Sequence, residues 1–204
     1  MQLPLDPDSI KGFLHPEEGA RLYDLALTAA QTGPCLEVGS YCGKSTLYLG
    51  AACQERGQVL YAVDHHRGSE EHQPGEEYHD PELFDAEASR LDSFRQFRAT
   101  LARAGLEDCV IPVVASSELA GRHWMTPLAL VFIDGGHSLE AAFTDYRTWA
   151  AHVMPGGYLA IHDIFEDPAE GGQAPFEIYK RGSASGLFEV LVSTRTLGVL
   201  RRLG

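Results

Sequence analysis

The stretch Cys35-Leu36-Glu37-Val38-Gly39-Ser40-Tyr41-Cys42-Gly43-Lys44-Ser45-Thr46 constrains the chain more than any other. An apolar run stops at a glycine, three residues separate it from a second glycine, and a helix-compatible pattern resumes at once. Without Cβ atoms, the two glycines let the backbone turn sharply and approach a ligand closely. A strand, glycine turn and helix in this order form the usual seat of a nucleotide-like group in α/β proteins.

The same alternation continues along the chain. Apolar runs at 59–63, 109–114, 128–133 and 158–161 read as buried strands. Helical spacing is expected at 16–30, 45–56, 94–104, 118–123, 139–152 and 176–185, and Met154-Pro155-Gly156-Gly157 reads as a turn. Residues 188–194 and 198–202 form an expected hairpin. The fold class that follows is α/β, a Rossmann-like doubly wound and mostly parallel sheet closed by a C-terminal antiparallel hairpin strand. No internal repeat is visible.

With 204 residues, 44% of them hydrophobic and 22% charged, the chain is expected to form one domain over 1–204. The segment 65–91 breaks the alternation, being polar, acidic and punctuated by glycine and proline. A loop of this length is expected to act as a lid or substrate loop. Its His65, His66, His72 and His79 have no compact metal-ligand spacing.

A formal charge of −13 argues against nucleic acid as a partner, because phosphate binding needs clustered Lys and Arg. No apolar run approaches the length of a membrane span, and residues 1–8 lack the pattern of a signal peptide. Four cysteines without a CxxC pair point to a reducing, cytoplasmic setting. The expected partner is a small molecule, and a homodimer is compatible with the sequence.

Gly39 to Ser45 nearly spells a P-loop, with the strand ending at Asp134 as its metal-binding acid. A P-loop, however, wraps its phosphate with four residues between the glycines, and here there are three. The G-x-G-x-x-G dinucleotide pattern is also missing. What fits is Glu37-x-Gly39-x-x-x-Gly43, followed by Asp64 at the end of the next strand.

On these residues the chain resembles the class I S-adenosylmethionine-dependent methyltransferases. The likeness runs from Glu37-Val38-Gly39 and Gly43 through Asp64, Ala115-Ser116-Ser117 and Phe132-Ile133-Asp134-Gly135-Gly136-His137 to Pro155-Gly156-Gly157. The resemblance implies S-adenosylmethionine as cofactor, with its methionine portion at the glycine turn, its ribose on Asp64 and its adenine beside Ser116 and Ser117. The cofactor set is then Glu37, Gly39, Ser40, Tyr41, Gly43, Ser45, Asp64, His65, Ser116, Ser117 and Asp134. The loop is expected to close over cofactor and acceptor, with His65 and His66 nearest the ribose.

Asp134 and the pair His162-Asp163 also resemble the metal ligands of small bacterial O-methyltransferases related to the catechol-type enzymes. This likeness implies a divalent metal on Asp134, His162 and Asp163, by default Mg²⁺. His162 departs from the all-oxygen pattern, which favours a softer ion such as Mn²⁺ or an outer position for the histidine. An alkyl hydroxyl needs a base to become a nucleophile, and His137 is the candidate.

Gly-Ser-Tyr-Cys-Gly-Lys-Ser-Thr at 39–46 and Val-Asp-His-His-Arg-Gly-Ser-Glu-Glu at 63–71 extend the resemblance to actinobacterial sugar O-methyltransferases acting on 3-O-methylated mannosides. A sugar or oligosaccharide is thus the implied acceptor. The competing readings are a non-catalytic cofactor-binding protein, a metal-dependent hydroxylase-like relative on the same fold, and a nucleotide hydrolase built on the near P-loop.

Overall fold

The computed structural model describes residues 1–69 and 80–204. Helix α1 (Pro16–Ala29) starts with proline in its first turn and a capping box in which His15 accepts from the Glu17 amide and Glu18 reaches back to the His15 amide. Then follow β1 (Cys35–Val38), α2 (Lys44–Glu55), β2 (Leu60–Val63), the short strands β3 (Phe84–Asp85) and β4 (Arg90–Leu91), and α3 (Phe94–Ala104). The second half holds β5 (Val110–Val113), α4 (Ser117–Gly121), β6 (Leu128–Ile133), α5 (Leu139–Trp149), β7 (Val153–Ile161), α6 (Ala174–Ser183), β8 (Phe188–Thr194) and β9 (Leu197–Arg202).

The main sheet has the order β5-β2-β1-β6-β7-β9-β8. Its first five strands are parallel, β9 runs against β7, and β8 pairs with β9 as the expected hairpin. The chain moves outward from β1 to β5, then returns to the other side of β1 with β6. This reversal opens a crevice beyond the carboxyl ends of β1 and β6, where ligands of such sheets bind.

Strand alternation divides the core into two layers. Cys35, Leu60, Leu130, Phe132 and Ala160 pack with α1, α2 and α3, while Leu36, Val38, Val131, Ile133 and Leu159 pack with α5 and α6. Phe132 and Trp149 are fully buried on opposite faces. Truncating either to alanine costs on the order of 3–5 kcal/mol.

The structure corrects several sequence-based boundaries. Met154 to Gly157 is part of β7, which starts at Val153, pairs there with Leu128 and then shifts register so that Tyr158 meets Leu130. Gly156 has φ +81°, a value that lets the strand absorb the irregularity. Helix α5 ends at Trp149, giving way to a 3-10 turn, and α6 starts at Ala174. The expected loop contains a 3-10 turn (Pro81–Leu83) and the β3–β4 ribbon, while its residues 70–79, with His72 and His79, lie outside the described residues. No helix among the described residues is long and apolar enough to cross a membrane.

Candidate active site

The glycine turn is held by the acid from the neighbouring strand. Asp64 Oδ2 accepts from the Ser40 and Tyr41 amides at 3.0 and 2.8 Å, and its Oδ1 accepts from the His66 amide at 2.6 Å. With three residues between the glycines, the chain must turn at Tyr41, which adopts φ +46°, and at Gly43, with φ +94°. Only the second is free of a side-chain penalty, so the Asp64 bonds offset strain at the first.

Glu37 and Gly43 do not line the cleft, contrary to their expected cofactor roles. Strand alternation turns Glu37 under α2, where it is fully buried and accepts from Ser45 Oγ at 2.5 Å and Thr46 Oγ1 at 2.6 Å. Burial pushes its carboxyl up to about 7, against the lowering effect of these hydroxyls. Gly43 caps α2 and packs toward Thr100 and Phe97. Gly39, Ser40, Tyr41, Ser45, Asp64, His65, Ser116, Ser117 and Asp134 all border the cleft, although the Ser45 hydroxyl itself is turned to Glu37.

His66 turns away from the expected ribose position. It is buried between Phe94 and Phe97, with ring centroids 5.0 and 5.1 Å away, and its Nδ1 meets Ser93 Oγ at 2.9 Å. Burial lowers its pKa, so the ring is neutral and belongs to the base of the loop.

Across the cleft, β6 and β7 deliver the second cluster. Ligand atoms of Asp134, His162 and Asp163 all lie within 4.8 Å of one another. His162 Nδ1 is 3.2 Å from Asp134 Oδ1 and 3.3 Å from Asp163 Oδ2, while His137 Nε2 is 3.4 Å from that same Asp163 oxygen. Asp163 takes φ +56°, an uncommon conformation for a residue with a side chain and one that recurs at functional sites.

His162 is buried, and burial alone would lower its pKa. The carboxylates of Asp134, Asp163 and Glu18 outweigh that and raise it well above the ordinary value. Burial raises Asp163 in turn, but His162 and His137 hold it below the usual range. Two carboxylate oxygens and one imidazole nitrogen at this spacing suit a divalent cation that tolerates nitrogen, Mn²⁺ better than Mg²⁺.

Residues 36–164 match a family model described as a methyltransferase domain. The chain belongs to this family. The methyltransferase also shares its fold with solved structures of low sequence identity. The cofactor-bound structure of Rv0187 from MTB is 18% identical with a TM-score of 0.66, covering 97% of this chain and 85% of that one. The O-methyltransferase TomG from Streptomyces achromogenes, solved with SAM, is 17% identical with a TM-score of 0.60, at 94% and 82% coverage. An O-methyltransferase from Bacillus cereus in complex with SAH gives 17%, 0.60, 94% and 83%.

The cleft of this methyltransferase measures about 660 Å³, within the range of small-molecule sites. Asp64, Asp134, Asp145, Asp163 and Glu170 border it, against Lys11 and Lys44 as the lysines. Lys11 is paired with Asp80 and Glu82, and Lys44 lies 3.6 Å from Asp8. The balance suits a cationic ligand and disfavours a polyphosphate.

Several cleft residues carried no sequence signal. Asp145 sits on α5, and burial pushes its carboxyl up to about 6 despite a bond from Ser117. Ser117 in turn accepts from Trp149 Nε1 at 2.9 Å. The Lys11–Leu14 segment forms another wall, with Phe13 stacked on Tyr41 at 6.2 Å between centroids. Glu18, on α1, does not line the cleft but is buried against His162, which does. A helix-borne acid has the sequence pattern of any first-turn or surface carboxylate, so only its folded neighbours distinguish it.

Proposed function

We propose that this methyltransferase moves the methyl group of S-adenosylmethionine to a hydroxyl of a small polar acceptor, of the saccharide class, with a divalent cation on Asp134, His162 and Asp163. The observation that carries the reading is the meeting of two strand-end clusters across one cleft. Asp64 with the glycine turn stands on one side, and Asp134, His137, His162 and Asp163 on the other. The neighbours solved with SAM and SAH add support for the cofactor.

In this reading Asp64, whose Oδ1 keeps one lone pair beyond the His66 amide, accepts from a ribose hydroxyl. The acidic lining favours the sulfonium charge. A bound divalent cation supplies Lewis acidity that eases loss of the acceptor's hydroxyl proton. His137 takes that proton, and Asp163, 3.4 Å from its Nε2, stabilises the resulting imidazolium. The oxygen forms its new bond to the methyl carbon as the carbon–sulfur bond breaks, leaving a neutral thioether.

Phe13, Tyr41 and Phe165 beside the carboxylates support the sugar reading, because pyranoses present apolar C–H faces together with hydroxyl edges. The test is an acceptor screen led by methylated mannosides, read as S-adenosylhomocysteine formation with Mg²⁺, Mn²⁺ or EDTA. Turnover that needs a hydroxylated sugar and a divalent ion bears the proposal out. Failure to bind S-adenosylhomocysteine in calorimetry defeats it.

A further inference from the structure

Glu18 lies in the first turn of α1, before the 36–164 segment that matches the family model, yet its carboxylate ends beside the cluster at the tips of β6 and β7. It is buried, at 2% exposure. Its Oε2 accepts from His162 Nε2 at 3.0 Å and from the His15 amide at 3.3 Å. Its Oε1 accepts from the Thr196 amide at 2.9 Å and from Thr196 Oγ1 at 2.8 Å, in the turn between β8 and β9. All four partners are donors, so both oxygens must be acceptors, and no other side chain of this length satisfies them.

Burying a carboxylate is costly, and an apolar residue of similar volume often serves stability as well. The arrangement at Glu18 does something an apolar residue would not. By accepting a hydrogen bond from Nε2–H it fixes the His162 ring with Nδ1 turned toward Asp134 and Asp163, at 3.2 and 3.3 Å. A metal-binding histidine is commonly oriented by such a carboxylate on its far nitrogen, which sets both the ring angle and the tautomer.

We propose that Glu18 is a positioning residue for the cation site, holding His162 so that Nδ1 supplies the lone pair that joins the Asp134 and Asp163 oxygens. This rests on the divalent-cation reading given above. It assigns to the N-terminal helix a part in the site that residues 36–164 do not supply by themselves. Thr196 satisfies Oε1, while the His162 contact is made by Oε2.

The test compares wild type, Glu18→Gln and Thr196→Val by Mn²⁺ calorimetry and by the visible spectrum of the Co²⁺-loaded protein, with near-UV circular dichroism as the folding control. Glu18→Gln turns an amide N–H₂ against donors on one side or the other. The expected result is a roughly 10- to 100-fold loss of Mn²⁺ affinity and an altered Co²⁺ spectrum in a folded protein. Thr196→Val removes the hydroxyl bond to Glu18 Oε1 but leaves the Thr196 amide bond and the Oε2 contact with His162, and is expected to bind Mn²⁺ like wild type.

Equal affinity in Glu18→Gln and wild type overturns the role of Glu18 while leaving the cation reading intact, as does an equal loss in Thr196→Val. Wild type that takes up no divalent ion overturns the cation reading itself. One measurement needs no variant. In ¹⁵N-labelled wild type loaded with ¹¹³Cd²⁺, the metal coupling at His162 is expected on Nδ1 with a proton on Nε2, and coupling on Nε2 overturns the proposal even where Glu18→Gln does not fold.

Discussion

Gly39 stands against the backbone of Asp134 so closely that a Cβ on the glycine would lie 2.0 Å from the Asp134 carbonyl oxygen. Gly39 also has φ +85°, so a side chain there meets both a clash with rigid backbone and a strained conformation. This contact sets the two halves of the cleft at one distance from each other. Gly39→Ala is therefore expected to cost several kcal/mol, at the upper end of single substitutions. Urea unfolding checks this, and a midpoint equal to wild type would contradict the packing described.

Asp64 joins the turn to the next strand by accepting three amide protons. Asp64→Asn places an N–H₂ donor against at least one of those amides, for a cost of about 1–3 kcal/mol. Calorimetry with S-adenosylhomocysteine is expected to show at least a tenfold weaker complex. A retained affinity would mean that the ribose lies elsewhere.

Glu37 makes stability depend on pH in a defined sense. Its folded pKa, about 7, is raised by burial above the ordinary 4.5. The neutral carboxyl is favoured in the fold, so its contribution is fully present below pH 4.5 and is lost as pH rises through 7. The swing is roughly 3 kcal/mol. Glu37→Gln removes this titration, and its stability relative to wild type is expected to rise between pH 5 and pH 8. A difference constant with pH, measured by urea unfolding, would refute the assignment.

His137 borders the cleft, and its Nε2 lies 3.4 Å from Asp163 Oδ2. His137→Ala is expected to lower turnover by about 10²- to 10⁴-fold while leaving S-adenosylhomocysteine affinity within about twofold. Loss of affinity in proportion to turnover would make it a binding residue instead.

Removing the cation tests the cluster as a whole. If the proposed cation site is used, EDTA is expected to abolish most methyl transfer, and Mn²⁺ to restore it better than Mg²⁺ because His162 offers nitrogen. Activity indifferent to EDTA would leave Asp134 and Asp163 with electrostatic roles alone.

Much of this was legible in the residue order. The order of strands and helices, the turn at Gly39 and Gly43, and the acids at the tips of β2 and β6 follow from short-range patterns. The cofactor role that the resemblance implies for Glu37, and the ribose position expected for His66, are not what the fold gives. Two-residue alternation turns Glu37 toward the helices behind the sheet, and the packing of Phe94 and Phe97 draws His66 inward. The start of β7 was also hidden, because Pro155-Gly156-Gly157 has the composition of a turn although pairing with β6 keeps it in the sheet.

The α/β class and the strand-end residues available for chemistry follow from residue order alone, since strand periodicity and glycine turns are properties of neighbours along the chain. Which of them act together depends on how distant segments pack. Reversal of the strand order beside β1 brings Asp64 and Asp134 to one cleft, and folding of α1 over the ends of β7 and β9 carries Glu18 across 144 positions to His162. Contacts of that separation leave no periodic trace in a single chain, because what selects Glu18 is the set of donors the fold collects around it.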